Sequence, residues 1–101
     1  MLAQAMQPFA MDATVTVTLK LVYLARLRDA FGRASEQVDV PATTETVGAL
    51  RDWLVARGGA WAVELAPGRA VRAAVNHTLA DGSTRVRDGD EVALFPPVTG
   101  G

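Results

Sequence analysis

The sequence predicts an α+β domain of two layers, a mixed sheet covered on one face by one main helix. Three stretches carry that expectation: a strand of period two at residues 14–23, one amphipathic helix following Thr46, and an apolar strand at Val92–Phe95. A lone helix between two groups of strands has to bury its stripe against a sheet, which gives two layers around one core. The first and last strands are the most apolar, so they are expected side by side at the centre. The chain has 101 residues, enough for one core and too few for two.

In TVTVTLKLVY, Val15, Val17, Leu19, Leu21 and Tyr23 alternate with Thr14, Thr16, Thr18 and Lys20, the pattern of a half-buried strand. The period then changes. Leu24, Leu27 and Phe31 are spaced by three and four, and Gly32 stops what reads as a short helical turn. A second strand is expected at Glu36–Val40, with Val38 and Val40 inward and Pro41 closing it. Thr46 is the expected N-cap of the long helix, whose stripe is Val47, Leu50 and Leu54, broadened by Trp53. Gly58-Gly59 ends it. Trp61, Val63 and Leu65 fit either a strand or a helical turn. Pro67-Gly68 is a turn, and Val71, Ala73 and Val75 suggest a third strand ending near Asn76. Asp81-Gly82 and Asp88-Gly89 are further turns, the second leading into the last strand.

Composition removes several function classes. Half the residues are hydrophobic and 21% are charged, a globular balance. A formal net charge of −1 and dispersed arginines give no basis for binding nucleic acid or an anionic membrane. No run approaches the roughly 18 apolar residues of a membrane span. MLAQAMQPFAMDA has no basic residue ahead of its apolar positions and is a poor signal peptide. Residues 1–12 are read as a flexible extension, either native or added. The absence of cysteine excludes disulfides, thiolate metal sites and a cysteine nucleophile. A cytoplasmic setting is the simplest expectation.

Individual side chains offer little catalysis. His77, the sole histidine, lies in VNHTLADG with no partner residues at suitable spacing, and a polar turn explains it. Asp88, Asp90 and Glu91 are too few oxygen ligands for a metal, and DGD is an ordinary tight turn. Trp53 and Trp61 read as core or partner-facing residues, and no glycine-rich phosphate loop is present.

The C-terminus is different. Pro96 and Pro97 stop the last strand, because successive prolines remove ladder donors and keep the backbone extended. Val98, Thr99, Gly100 and Gly101 then form a short arm ending in a free carboxylate. With glycine near 7% of residues, a Gly-Gly pair at a given place arises by chance about 0.5% of the time. Two glycines pass a slot too narrow for any side chain. A carboxylate so delivered can be activated as an acyl-adenylate and captured by a persulfide or an amine. The residues alone lead as far as an activated C-terminal carboxylate at Gly101.

The ending DGDEVALFPPVTGG resembles the C-terminus of the small subunit of molybdopterin synthase, the MoaD type of sulfur carrier. The similarity extends through AAVNHTL, TVGALRDWLVARG, AWAVEL and the opening strand with LARLRDAFG, over residues 14–101. The resemblance implies a ubiquitin-like β-grasp fold, divided into the 1–12 extension, a domain at 13–95 and a projecting tail at 96–101. It also implies that an E1-like enzyme uses ATP to adenylate Gly101, which becomes a thiocarboxylate. The tail, Phe95, Pro96, Pro97, Val98, Thr99, Gly100 and Gly101, would enter a separate large subunit and donate sulfur to cyclic pyranopterin monophosphate. The family assembles as a heterotetramer, and the chain itself would bind neither cofactor nor metal. Three alternatives stand beside this: a carrier for thiamine synthesis or another thiolation, a protein modifier forming isopeptide bonds, and a plain interaction module. The FPPV run favours the molybdopterin branch.

Overall fold

β1 (Thr16–Tyr23) forms where the alternation predicts, with Leu19, Leu21 and Tyr23 buried and Lys20 turned outward. The computed structural model describes residues 15–97. A short helix, α1 (Arg26–Phe31), follows and buries Leu27 and Phe31. It ends because Gly32 adopts a left-handed φ of 71°, which lets its N–H reach the carbonyls of Arg28 and Asp29. β2 (Ser35–Pro41) returns antiparallel to β1, with Val17 opposite Val40 and Leu19 opposite Val38. Pro41 is its last residue, and β2 is an edge strand, where a missing N–H is tolerated.

The long helix is α2 (Val47–Val55). Thr46 caps it, its hydroxyl accepting from the Ala49 N–H at 3.1 Å, and Val47, Leu50 and Leu54 are buried as their spacing requires. Gly48 sits against the backbone of Gly82: its N–H donates to the Gly82 carbonyl at 2.9 Å, and a Cβ there would stand 3.1 Å from that oxygen. After Gly58, a third helix, α3 (Gly59–Glu64), resolves the ambiguity of the tryptophan stretch. Trp61 and Leu65, four residues apart, turn towards the core, while Val63 between them is 57% exposed. A strand would have placed all three on one face.

β3 (Arg72–Val75) and β4 (Thr78–Ala80) form a hairpin. Its two-residue loop is Asn76 and His77, with φ of 50° and 72°, the paired left-handed geometry that matches strand twist. β4 lies within VNHTLADG, where the sequence suggests only a polar turn. β5 (Glu91–Phe95) completes the sheet, in the order β2-β1-β5-β3-β4. β1 and β5 pair in parallel, with Leu21 opposite Val92 and Tyr23 opposite Leu94. They are adjacent, as expected from their apolar content, and β5 occupies the centre. Among the described residues α2, at nine residues, is the main helix of the covering layer, with the shorter α1 and α3 beside it.

Candidate functional site

The centre of the sheet ends in the predicted tail. Val92 and Leu94 of β5 are buried, and β5 is held on both sides, by β1 and by antiparallel β3. The Leu24 N–H donates to the Leu94 carbonyl at 3.1 Å, and Arg72 stands opposite Phe95. Phe95 is the last ladder residue. Pro96 and Pro97 follow, half-buried and without an N–H to extend the pairing. The strand's other end is fixed by its entry turn: the Asp88 carboxylate accepts from the Thr18 N–H at 2.7 Å, and Asp90 accepts from the Arg87 N–H at 2.8 Å and the Asn76 amide at 3.0 Å. The DGD carboxylates are thus employed in the turn, as the sequence suggested. Val98, Thr99, Gly100 and Gly101 lie outside the described residues, as do residues 1–14.

The sheet face away from the helices is thinly polar. Val22, Ala93, Ala74 and Leu79 line up across β1, β5, β3 and β4 by register, and Leu79 is 68% exposed. Lys20 and Glu91 flank this row on one side, Arg72 and Phe95 on the other.

Beneath the opposite face, aromatic and charged groups are locked together. Phe31 stacks on Trp61 at 4.8 Å and meets Tyr23 edge-on at 4.7 Å. The Arg57 guanidinium lies 5.0 Å from the Trp53 ring and 4.9 Å from the Trp61 ring. It also binds both carboxylate oxygens of Glu36, at 2.8 and 3.2 Å, and Glu36 accepts the Tyr23 hydroxyl. Burial acts to raise the Glu36 pKa, but the bonds from Arg57 and Tyr23 outweigh it and hold the carboxyl below its usual range. Burial, reinforced by Glu36, pushes the Tyr23 phenol well above its ordinary value. Sequence reading missed this network, because Tyr23, Glu36 and Trp61 come from three elements and Arg57 from the turn after α2, with no recognisable spacing. No free nucleophile–base pair results: the groups satisfy one another.

His77 behaves as a turn residue, its side chain 85% exposed and 3.6 Å from Glu91. Trp53 and Trp61 are half-buried against the core, within the two roles the sequence allowed them.

A parallel β1–β5 pair at the centre of a five-stranded mixed sheet, helices on one face and a tail leaving the central strand, define a ubiquitin-like β-grasp protein. The ThiS family model matches residues 21–101, and the chain belongs to that family. It is 42% identical over 83 residues to the molybdopterin synthase sulfur carrier subunit of Escherichia coli strain K12, covering 82% of this chain and 99% of that protein. Among solved structures, small archaeal modifier protein 1 of Haloferax volcanii superposes with a TM-score of 0.64 at 32% identity, over 83% of this chain and 99% of that one. A chain from the complex of subunits 1 and 2 of the Helicobacter pylori molybdopterin-converting factor superposes at 0.57, over 84% of this chain and 100% of that one. At 22% identity, that last likeness concerns the fold.

Proposed function

We propose that this chain is the sulfur-carrier subunit of a molybdopterin synthase, a donor without catalytic side chains of its own. The observation that carries the reading is the central strand running directly into Pro96-Pro97 and the sequence VTGG, in a chain with no cysteine. Sulfur therefore has to travel on the backbone terminus. The carboxylate of Gly101 displaces pyrophosphate from ATP on an E1-like enzyme, and a persulfide then expels AMP. Its outer sulfur forms an acyl C–S bond, and a thiol that cleaves the persulfide's own S–S bond leaves the thiocarboxylate and a disulfide. The tail, Phe95–Gly101, delivers that sulfur to cyclic pyranopterin monophosphate in the large subunit, within a heterotetramer and in the cytoplasm. The identity shared with the Escherichia coli carrier supports this branch of the family. The open face bearing Val22, Ala93, Ala74 and Leu79 is the surface offered to that subunit, since an apolar row beside the tail is costly to leave in water.

The test is reconstitution with the large subunit and precursor. The full chain, once thiocarboxylated, supports product formation, and a chain ending at Thr99 supports none while keeping its thermal midpoint. Product formation by the truncated chain sinks the reading. The likeness to the Haloferax modifier protein favours a second role, attachment of Gly101 to lysines of other proteins. Covalent conjugates on a denaturing gel, lost with Gly100-Gly101, are its signature.

A further inference from the structure

The tail leaves the sheet at an edge rich in arginine, which the carrier chemistry does not use. Because β1 and β5 are parallel, their C-terminal ends lie together, and antiparallel β3 brings its N-terminal end to the same edge. Phe95 emerges between the segment from Leu24 to Arg26 and the segment from Arg69 to Arg72. The Arg26 and Arg69 side chains both bind one oxygen of Glu64, the latter at 3.2 Å. Arg72, exposed and directly opposite Phe95, makes no salt bridge or side-chain hydrogen bond among the described residues. Two guanidinium groups therefore share one carboxylate, and the third, on Arg72, has none among the described residues. The other edge has the reverse balance, with Asp39, Asp88, Asp90 and Glu91 gathered around the starts of β1 and β5.

We propose that Arg72, backed by Arg26 and Arg69, is a docking element for an acidic rim around the slot that receives the tail. This deepens the carrier reading and rests on it. The chain presents a cation at the tail root and an anion at its tip, separated at full extension by six residues, or about 20 Å. A slot with carboxylates at its mouth and donors at its base matches that order and disfavours wrong tails. An exposed guanidinium with no counter-ion among the described residues is open to a partner's charge, and its planar fork suits a carboxylate. The rim then steers association and selects the partner, while the apolar row supplies contact area.

The experiment is stopped-flow association of the full chain with the large subunit of the same organism, at several salt concentrations. Arg72→Glu and Arg72→Ala are compared with Arg87→Glu, which changes net charge as Arg72→Glu does but lies in the entry turn of β5, at the other edge. At low salt the Arg72→Glu rate constant falls about tenfold and Arg72→Ala about threefold, with Arg87→Glu within about twofold of wild type. The gap closes near 0.5 M salt, where the Debye length is only about 4 Å. All three keep the wild-type thermal midpoint. Equal rates for Arg72→Glu and Arg87→Glu overturn the arginine assignment and leave the carrier function standing. Failure of the wild-type chain to associate at all overturns both.

Discussion

The two faces of the sheet are built on opposite plans. Under the helices, every group is committed: Leu21, Leu54 and Val92 are buried, and Tyr23, Glu36, Arg57 and Trp61 bind one another. On the open face, small and apolar side chains stand in a row beside the tail root with little above them. The first face supplies the stability that lets the second remain unfinished. A protein that hands its terminus to another enzyme needs both, a rigid platform and a surface completed only by a partner. Substitutions should therefore separate cleanly into those that unfold the chain and those that silence it.

The sharpest separation is expected at the tail. Gly100→Leu puts a side chain where the proposed slot admits none, and sulfur transfer falls by about 10²-fold, the scale of misplacing a reacting group. Its melting curve is unchanged. A Gly100→Leu protein that transfers at the wild-type rate would remove the need for a narrow slot.

Leu54→Ala is the converse. Leu54 is fully buried, and its truncation costs about 2–5 kcal/mol by urea denaturation. Transfer per folded molecule is retained. A smaller effect acts through charge. Glu36→Ala leaves the Tyr23 hydroxyl and Arg57 without their acceptor, at a cost of about 1–3 kcal/mol.

The same pair gives a pH test. The folded-state pKa of Glu36 is depressed, so its contribution is present above the unfolded carboxyl value of about 4.5 and is lost as pH falls through the folded value. The Tyr23 pKa is raised, so its contribution is full below the unfolded phenol value near 10 and declines as pH rises beyond it. Glu36→Gln flattens the acid limb of a stability–pH profile, and Tyr23→Phe flattens the alkaline limb. Identical limbs in wild type and variants would show that the network is not coupled to folding. The least stability change is expected on the open face. Leu79→Ala moves stability by less than about 0.5 kcal/mol, yet weakens association with the large subunit.

Most of the closed face was legible in the sequence, because it is written in period. Val15 to Tyr23 alternate, and Val47, Leu50 and Leu54 follow the helical repeat, so β1 and α2 sit where expected. β5 was legible from its apolar run and the prolines that end it. The short elements were not. α3 has six residues, too few for Trp61, Val63 and Leu65 to distinguish a repeat of two from one near four. β4 has three, and its hairpin rests on Asn76-His77 adopting left-handed angles, a weaker signal than Asn-Gly. The Tyr23–Glu36–Arg57 network was invisible for another reason: its members meet only after β1, β2 and the turn following α2 have packed. Phe95, Pro96 and Pro97 lie at the end of β5, where the prolines mark it in the sequence, whereas Arg72 beside them carries no sequence signal, because only strand register sets it opposite Phe95.

The central claim is that Gly101 carries sulfur. Its most direct test is thiol alkylation after incubation with ATP, the activating enzyme and a sulfur donor, located by peptide mass spectrometry. Intact mass alone misleads, because exchanging oxygen for sulfur nearly matches oxidation of one methionine, and the chain has three. A chain without cysteine has no side-chain thiol to alkylate. ATP-dependent label confined to the C-terminal peptide is the predicted result. No label, where a known carrier is labelled in parallel, would contradict the account.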